Sequence, residues 1–582
     1  MKRQQRQAKV VERQTERVLE RYFFGRLERL VRVRRFIASW LVLMLLLISS
    51  VVVQNSALGG YYQSQQPVPG GIFREGIVGT FGNANPIYAT SEVDASVSRL
   101  IFSGLFKYDD RNRLVGDLAE SWTTDQTQQV YTVKLRPNLH WQDGTPLTAQ
   151  DVAFTYTVIQ NPDAESPFRS SWSGITVKAV DDRTVQFFLP NPLSSFIGSL
   201  TNGIVPRHLL SDIPMTGLRS ASFNTQAPVG AGPFQWHDIR ISGGSPLDIQ
   251  EKIALLPFDG YWAGAPKLKT FTLHVFAQES DMLDAYRDNQ LNAMAGLESL
   301  PAYIEEQSNT NIHNLTFTAA NMVFFRTNSA VLSDKSVRRA LVLASKPEDI
   351  INQLSYPAPR VDEPFLGNQF AYDARYAQKT GDTKQAAKLL DEAGWKSGPN
   401  GIRAKGSRPL AFTITAAKTG ENTMIVRQLQ KQWAAIGVDL KLDLADEESF
   451  HSTLLSHEYD AIVYGITIGA DPDVFVYWDS SQNDIRSNNL LNLSEYDSDI
   501  ADTALEGGRT RTGEQLRKVK YLPFLQAWRD DAPALGLYQP RYMYVTRGIV
   551  YGLENHQLNS VVDRYSNVEN WMIRTAKTTN NK

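Results

Sequence analysis

Residues 423–444 read TMIVRQLQKQWAAIGVDLKLDL. Residues 423–436 have the composition and apolar spacing of a helix, and Gly437 can end that helix. Apolar and polar residues then alternate, as in a strand with one buried face, with the apolar positions at Val438, Leu440, Leu442 and Leu444. A helix, a glycine and a strand in succession are typical of layered α/β domains, so this stretch predicts an α/β fold.

The same two patterns alternate along the chain after residue 71. Strand-like runs lie at 130–135, 184–189 and 459–468, and helix-like runs lie at 149–159, 336–344 and 384–393. At 582 residues the chain is too long for one hydrophobic core. The sequence therefore predicts several domains of mixed α/β structure.

Charge and composition exclude several classes of function. Residues 1–35 carry twelve basic and four acidic side chains, a net charge of +8, which leaves −10 for the rest of the chain. An acidic globular part has no broad basic face for phosphates, so we expect no nucleic-acid partner. The chain has no cysteine, which rules out disulfides, thiolate catalysis and cysteine-based zinc sites.

An uncharged apolar stretch near the N-terminus predicts a membrane anchor. Residues 36–53 read FIASWLVLMLLLISSVVV, which as a helix spans about 27 Å, enough for a bilayer core. Arginines precede this stretch, so the positive-inside rule places the N-terminus in the cytoplasm and residues 54–582 outside, in an extracellular or periplasmic location. A cleaved signal peptide ending near Ala57-Leu58-Gly59 is the alternative; the long basic region and long apolar core favour a retained anchor.

Two segments flank this predicted anchor. The basic segment 1–35 interleaves apolar residues with arginines at roughly helical spacing, which fits a helix on an anionic inner leaflet or a strong topology signal alone. Residues 54–71 are rich in Gly, Gln, Ser and Pro and predict a flexible linker.

Residues 465–478 read GITIGADPDVFVYW and combine carboxylates with aromatic side chains at the end of a predicted strand. Such a cluster could hold a polar ligand. It could equally be an Asp-Pro turn before a short helix, where carboxylates cap free N–H groups. The residues alone leave both interpretations open.

Motifs elsewhere in the chain decide the family that it resembles. Residues 131–152, YTVKLRPNLHWQDGTPLTAQDV, follow NPIY at 85–88, LIFSGLFKY at 100–108 and LAESW at 118–122. Further matches are GAGPF at 230–234, YWAGAPKL at 261–268, FRTN at 325–328, VRRAL at 337–341 and residues 389–395. In this order, over about 72–575, the motifs resemble the extracellular solute-binding protein family 5, the peptide-, nickel- and related ligand-binding components of ABC importers.

The resemblance implies a periplasmic-binding-protein-like class II fold, α/β, with two hinged lobes and an inserted extra domain, preceded here by one transmembrane helix. Lobe I would comprise 72–104, 225–312 and 536–575, the inserted domain 105–224, and lobe II 313–535. It implies a solute-binding protein without enzymatic activity or cofactor, delivering peptides from the inter-lobe cleft to an ABC permease and its ATPase subunits. We expect a monomer.

One departure from the family pattern concerns the ligand's ammonium group. Peptide-binding members commonly carry an aspartate three residues before the Asp-Pro pair, where this chain has Ile468. Either Asp471 takes that role, or the ligand is not held by a free N-terminus. The resemblance and the motif turns predict ligand-binding residues, with core packing as the alternative for the aromatic ones: Asn83, Asn85, Tyr88, Asn328, Gly469, Asp471, Asp473, Phe475 and Trp478.

Motifs for other chemistry are missing from the sequence. The eight histidines show no HExxH or other close ligand spacing, and neither a Walker A motif nor a GxSxG elbow occurs. We therefore expect no metal site and no catalytic residues. The alternatives to a peptide importer are a ligand-sensing receptor and a binder of another solute, such as chelated nickel or an oligosaccharide.

Overall fold

The computed structural model describes residues 34–245, 248–483 and 491–579. It divides into two compact units, one comprising Met1–Val68 with Arg574–Lys582 and the other Pro69–Ile573. Residues 1–33 of the basic segment 1–35, for which a membrane-surface helix is one interpretation, lie outside the described residues.

The described residues of the first unit form one long helix and one small sheet. The helix spans Arg34–Tyr62, and its portion Arg34–Gln54 is long and apolar enough to cross a membrane. Strand Gln63–Val68 pairs antiparallel with strand Arg574–Thr579. The predicted apolar stretch 36–53 thus lies in one continuous helix, which is compatible with a membrane anchor.

The second unit is organised around three larger sheets. The seven-stranded sheet has the spatial order Thr310–Thr316, Arg541–Arg547, Ala293–Leu297, Ile72–Val78, Thr270–Phe276, Gln250–Pro257 and Phe234–Ser242. The five-stranded sheet has the order Asp439–Ala445, Ala411–Ala417, Ala461–Thr467, Ala319–Phe325 and Ala534–Tyr538. The four-stranded sheet has the order Ala119–Thr124, Val130–Leu135, Thr184–Phe188 and Thr176–Asp181.

Smaller sheets and the helices complete this unit. Strand Phe106–Tyr108 pairs with Leu114–Gly116, and Lys396–Ser397, Arg403–Lys405 and Arg408–Pro409 form a three-stranded sheet. The α-helices span Glu92–Ile101, Ala149–Gln160, Arg207–Leu210, Glu279–Arg287, Ala302–Glu305, Lys335–Ala344, Pro347–Ile351, Thr383–Glu392, Gly420–Ala434, Glu447–Ser456, Phe475–Trp478, Asp499–Arg509 and Glu514–Asp531. Short 3₁₀ helices span Pro162–Ala164, Arg169–Trp172, Phe196–Thr201, Met215–Ser220, Ser222–Asn224, Ala374–Tyr376, Ser480–Asn483, Val561–Tyr565 and Val568–Asn570.

The helix–glycine–strand unit predicted at 423–444 is present. Its helix begins earlier, at Gly420, because the Thr419 side chain accepts a hydrogen bond from the Asn422 N–H and caps the helix. Gly437 adopts a left-handed φ of 84°, the conformation for which glycine is suited at a helix end. The following strand spans Asp439–Ala445.

The five-stranded sheet is covered on both faces. Along strand Ala319–Phe325 the side chains alternate, with Val323 and Phe325 in one buried cluster and Met322 and Phe324 in another. This explains why strand Ala319–Phe325 reads as a nearly continuous apolar run, AANMVFF.

The chain crosses between the seven-stranded and five-stranded sheets in two adjacent segments. Residues 317–318 join strand Thr310–Thr316 to Ala319–Phe325, and residues 539–540 join Ala534–Tyr538 to Arg541–Arg547. The Phe317 N–H donates to the Pro540 carbonyl at 2.9 Å, and the Gln539 side chain donates to the Phe317 carbonyl at 3.1 Å. The predicted lobe boundaries, 312/313 and 535/536, fall a few residues before these crossings, and the division into lobes stays a proposal.

Candidate ligand-binding cleft

Residues of both the seven-stranded and the five-stranded sheet line a cavity of about 820 Å³. One wall comes from the seven-stranded sheet and its loops, including Glu92 and residues 296–299. The other comes from the five-stranded sheet and the helix that follows one of its strands, including Tyr464 and residues 419–422. The crossing residues 317 and 540, with Arg541 next to them, complete the lining. Residues 298 and 418–419 follow the carboxyl ends of strands, and ligands of open α/β sheets bind outside such ends.

Glu421 is the central acidic group on the five-stranded-sheet side. It lies in the first turn of helix Gly420–Ala434. Its carboxylate accepts hydrogen bonds from the Tyr356 hydroxyl, at 3.1 Å, and from the Tyr538 hydroxyl. Burial, and then the charge of Glu421, raises the pKa of both tyrosines, so their hydroxyls stay protonated and donate.

Arg541 is the basic group of the cavity lining, and it is the first residue of strand Arg541–Arg547, directly after the crossing at 539–540. Its guanidinium carbon lies 4.0 Å from the centroid of the Tyr356 ring, a cation–π contact. It donates to the Asn314 side chain, to Ser355 Oγ at 3.3 Å and to the Glu298 carbonyl at 3.4 Å. These hydrogen-bond partners are neutral. Burial lowers the pKa of Arg541, and the nearby Tyr356, Glu421 and Glu305 partly offset that effect.

Two further glutamates make the cavity lining acidic. Glu92 accepts a hydrogen bond from the Tyr542 hydroxyl, and Glu298 is exposed. With Glu421 and Arg541, the described lining therefore carries three carboxylates and one guanidinium. Such a lining favours a solute with at least one cationic group.

The predicted site residue Asp471 has a protein partner. Its carboxylate forms a bidentate ion pair with Arg517, with N–O distances of 2.7 and 2.6 Å. The Arg517 side chain is only 4% exposed. A ligand ammonium at Asp471 would have to compete with this ion pair.

Asp473 and Phe475 lie beside residues 194–195, which follow the four-stranded sheet in the chain. Asp473 accepts a hydrogen bond from Ser195 Oγ at 3.0 Å and pairs with Arg509 at 3.2 Å. The Arg509 guanidinium lies 4.1 Å from the centroid of the Phe475 ring. The Ser194 N–H donates to the Arg509 carbonyl at 2.9 Å, and a second groove of about 1360 Å³ includes Phe475 and Arg509 in its lining.

Packing and hydrogen bonds within the protein fix the positions of Trp478, Gly469 and Ile468. Trp478 is fully buried and stacks on Phe324, with ring centroids 5.5 Å apart. Gly469 has a left-handed φ of 81°, and its carbonyl accepts a hydrogen bond from the Gln369 side chain. Ile468 is 6% exposed in the same buried cluster as Trp478, which explains why an apolar residue suits this position.

The remaining predicted residues lie in turns with local partners. Asn85 is buried and donates to the Asn224 side chain at 3.0 Å, while the Asn83 side chain accepts from the Asn85 N–H at 2.8 Å. Tyr88 is 6% exposed, and Asn328 donates to Glu495. None of the nine predicted residues lines the 820 Å³ cavity, and their contact with a ligand stays a prediction.

Sequence reasoning missed Tyr356, Glu421 and Arg541. A signal for Glu421 was present, because it follows AFTITAA at 411–417, an apolar run that forms a strand directly before the recognised helix. Tyr356 and Arg541 had no such signal, since they reach the cavity from distant parts of the chain. Among the described residues, no group of three or more His, Asp or Glu is arranged to hold a metal ion.

Comparison with known proteins agrees with this architecture. Residues 113–487 match the model of the bacterial extracellular solute-binding proteins, family 5 Middle, and the chain belongs to this family. The oligopeptide-binding protein AppA of Bacillus subtilis (strain 168) is 26% identical over 525 residues, covering 87% of this chain and 92% of AppA. A Brucella ovis relative described as an ABC transporter peptide-binding protein is 25% identical over 483 residues, 80% of this chain and 86% of its own length.

Comparison with solved structures also finds proteins that bind solutes. The crystal structure of NikZ from Campylobacter jejuni, in complex with Ni(L-His), superposes with a TM-score of 0.71 at 25% identity. It covers 86% of this chain and 99% of NikZ. These findings confirm the predicted family and the α/β, class II periplasmic-binding fold.

Proposed function

We propose that this solute-binding protein captures peptides in the 820 Å³ cavity and delivers them to the permease and ATPase subunits of an ABC importer. The cavity itself carries the proposal, because it lies between the two sheets and within roughly 300–1,000 Å³, the range of small-ligand sites. Its mixture of aromatic, carboxylate and guanidinium groups suits a polar solute with charged ends. The descriptions of AppA and of the Brucella relative support peptides and an ABC transporter.

Closure around the solute would link binding to transport. The two crossings at 317–318 and 539–540 join the walls of the cavity, so bending there would change its width. A solute that contacts both walls stabilises one relative arrangement of them. The proposed permease would recognise that arrangement, and no catalytic step or cofactor is required of this chain.

We further propose that the helix Arg34–Tyr62 anchors the chain, with the N-terminus in the cytoplasm and Pro69–Ile573 outside. Because the chain has no cysteine, one introduced cysteine is a unique label. A membrane-impermeant maleimide should label Ser333→Cys in intact cells and should label Arg17→Cys only after lysis. The reverse pattern would refute the topology, and release of the labelled chain into the medium would refute the anchor.

Thermal unfolding of the full chain in detergent tests the peptide proposal. Pools of free short peptides, Ni(L-His) and an oligosaccharide mixture would be compared. A ligand at 100 times its dissociation constant stabilises the folded state by about 2.7 kcal/mol. Stabilisation by peptides alone is expected, and stabilisation by another pool without any peptide response would refute a peptide ligand while leaving the solute-binding family intact.

A further inference from the structure

A basic pocket of about 320 Å³ shares no lining residue with the 820 Å³ cavity. It is formed by helix Lys335–Ala344, by residues 375–379 and by the end of helix Glu514–Asp531. Four cationic side chains and one carboxylate line it: Arg339, Arg375, Lys379, Arg529 and Asp530. The lining therefore carries an excess of positive charge.

Two of the four cations have an acidic partner. The Arg375 guanidinium pairs with Asp373 at 2.6 Å. The Arg529 guanidinium pairs with Asp530 at 2.9 Å and donates to the Arg375 carbonyl at 3.2 Å. Both guanidiniums also lie over the Tyr376 ring, 5.8 and 5.5 Å from its centroid. These contacts limit the rotation of both arginine side chains beside the pocket.

The other two cations, Arg339 and Lys379, form no ion pair and no side-chain hydrogen bond within the part of the chain that the structure describes. Both are exposed. Arg338 donates to the Asp531 and Ala532 carbonyls at 3.0 and 3.3 Å, so this buried neighbour already provides the cation that the helix end requires. The charges of Arg339 and Lys379 are therefore available to an external anion.

A phosphate group matches this arrangement of charges. Its charge of about −1.5 to −2 near pH 7 balances two cations, and its oxygens accept hydrogen bonds from several donors at once. A guanidinium can bind phosphate through two parallel hydrogen bonds, and a lysine adds a point charge. Part of the lining is apolar, from Val342, Leu343 and Ala377, and charges beside apolar walls attract an anion more strongly than charges in open water.

We infer that the basic pocket binds a phosphate group, which Arg339 and Lys379 neutralise while Arg375 and Arg529 donate further hydrogen bonds. Soluble phosphate compounds and the headgroup of phosphatidic acid carry the same group, so the chemistry of recognition is common to both. The inference does not depend on the peptide proposal, because the pocket and the 820 Å³ cavity have no lining residue in common.

Calorimetric titration of the full chain in a nonionic detergent tests the inference. The probes are inorganic phosphate and glycerol phosphate, with acetate as an anion of lower charge and potassium chloride at equal ionic strength as the control for screening. The variants are Arg339→Gln, Lys379→Gln and Asp530→Asn. Matched controls are Arg427→Gln and Lys384→Gln, since both residues are exposed, form no ion pair among the described residues and lie outside the pocket lining.

The unchanged chain should bind phosphate more tightly than acetate, because the second charge of phosphate meets a second cation. Arg339→Gln and Lys379→Gln should each weaken phosphate binding about fivefold, the effect of one exposed charge contact. Asp530→Asn should instead strengthen it about twofold or more, since it removes the carboxylate of the lining and releases Arg529. The control variants should bind like the unchanged chain.

Three results would overturn the inference. One is a phosphate response no larger than that of potassium chloride. Another is phosphate binding that the pocket variants leave unchanged, and the third is an equal loss in the control variants, which would show a diffuse effect of surface charge. If Arg339→Gln melts below the unchanged chain, Arg339→Lys, which retains the charge, and the gain expected for Asp530→Asn decide, because a damaged fold does not bind more tightly.

Lipid nanodiscs then identify the source of the phosphate group. The full chain is placed in phosphatidylcholine discs that contain an equal amount of phosphatidic acid or, as a control for surface charge, of phosphatidylglycerol. Weaker binding of inorganic phosphate in the phosphatidic acid discs alone assigns the pocket to a lipid headgroup. Equal binding in both kinds of disc assigns it to a soluble phosphate compound.

Discussion

Replacing Asp471 with asparagine should destabilise the fold rather than remove a ligand contact. Both carboxylate oxygens of Asp471 accept from Arg517, whose side chain is 4% exposed. Arg517 also donates to the Gly508 carbonyl at 3.0 Å, and its guanidinium lies 5.0 Å from the centroid of the Phe370 ring. Asparagine would offer only one acceptor oxygen to Arg517. Its side-chain amide N–H would face the second guanidinium N–H, and two donors cannot bond to each other.

The expected loss follows from the burial of the arginine. Removing one partner of a buried ion pair costs about 3–5 kcal/mol, because the remaining charge is left without compensation. The Asp471 side chain is 30% exposed, so water can partly replace it. We therefore expect the free energy of unfolding to fall by about 3 kcal/mol.

Urea unfolding of the full chain, followed by tryptophan fluorescence, measures this loss. Asp238→Asn is the control, since its partner Arg240 is 79% exposed and such surface pairs contribute about 0–1 kcal/mol. A double-mutant cycle with Arg517→Met should show a coupling energy of about 1–3 kcal/mol.

An effect of Asp471→Asn on peptide binding, without an effect on stability, would refute this reasoning. Asp471→Asn would then unfold like the unchanged chain, show no coupling to Arg517→Met, and bind free peptides more weakly than N-acetylated ones. Asp471 would in that case receive the ligand ammonium, in place of the aspartate that peptide-binding members commonly carry where this chain has Ile468.

Two further predictions concern a buried acid and a close backbone approach. Burial raises the pKa of Glu363 to about 8, whereas an unfolded glutamate has a pKa of about 4.3. Between these values the folded chain binds one more proton than the unfolded chain. The free energy of unfolding should therefore fall as the pH rises from about 5 to about 8. Glu363→Gln should flatten that decline in pH-dependent urea unfolding, and an unchanged slope would refute the assignment. Gly230→Ala should destabilise by about 1–3 kcal/mol or more, because its Cβ would lie 2.0 Å from the Ile101 carbonyl oxygen. Gly420→Ala, with open space around it, should unfold like the unchanged chain, and equal effects of the two alanines would contradict the steric argument.

Local patterns predict the fold, whereas the cavity depends on residues from distant parts of the chain. The helix and strand expected at 423–444 were found within a few residues because glycine and alternating leucines act over short distances. The cavity instead combines Tyr356, Glu421 and Arg541, which are 65 or more residues apart in the chain. Asn85 lies in a family motif, and its side chain forms hydrogen bonds that hold a turn together. A motif alone does not distinguish such a structural role from ligand binding.

The paired crossings between the two sheets limit how the walls of the cleft can move. Residues 317–318 and 539–540 are short, and hydrogen bonds join them to each other. Two adjacent crossings of this kind resist sliding and shearing of the sheets, but they can bend about the line that runs through both. We therefore expect the walls to move mainly by bending about that line, so that a transport partner would sense this chain chiefly through the width of its cleft.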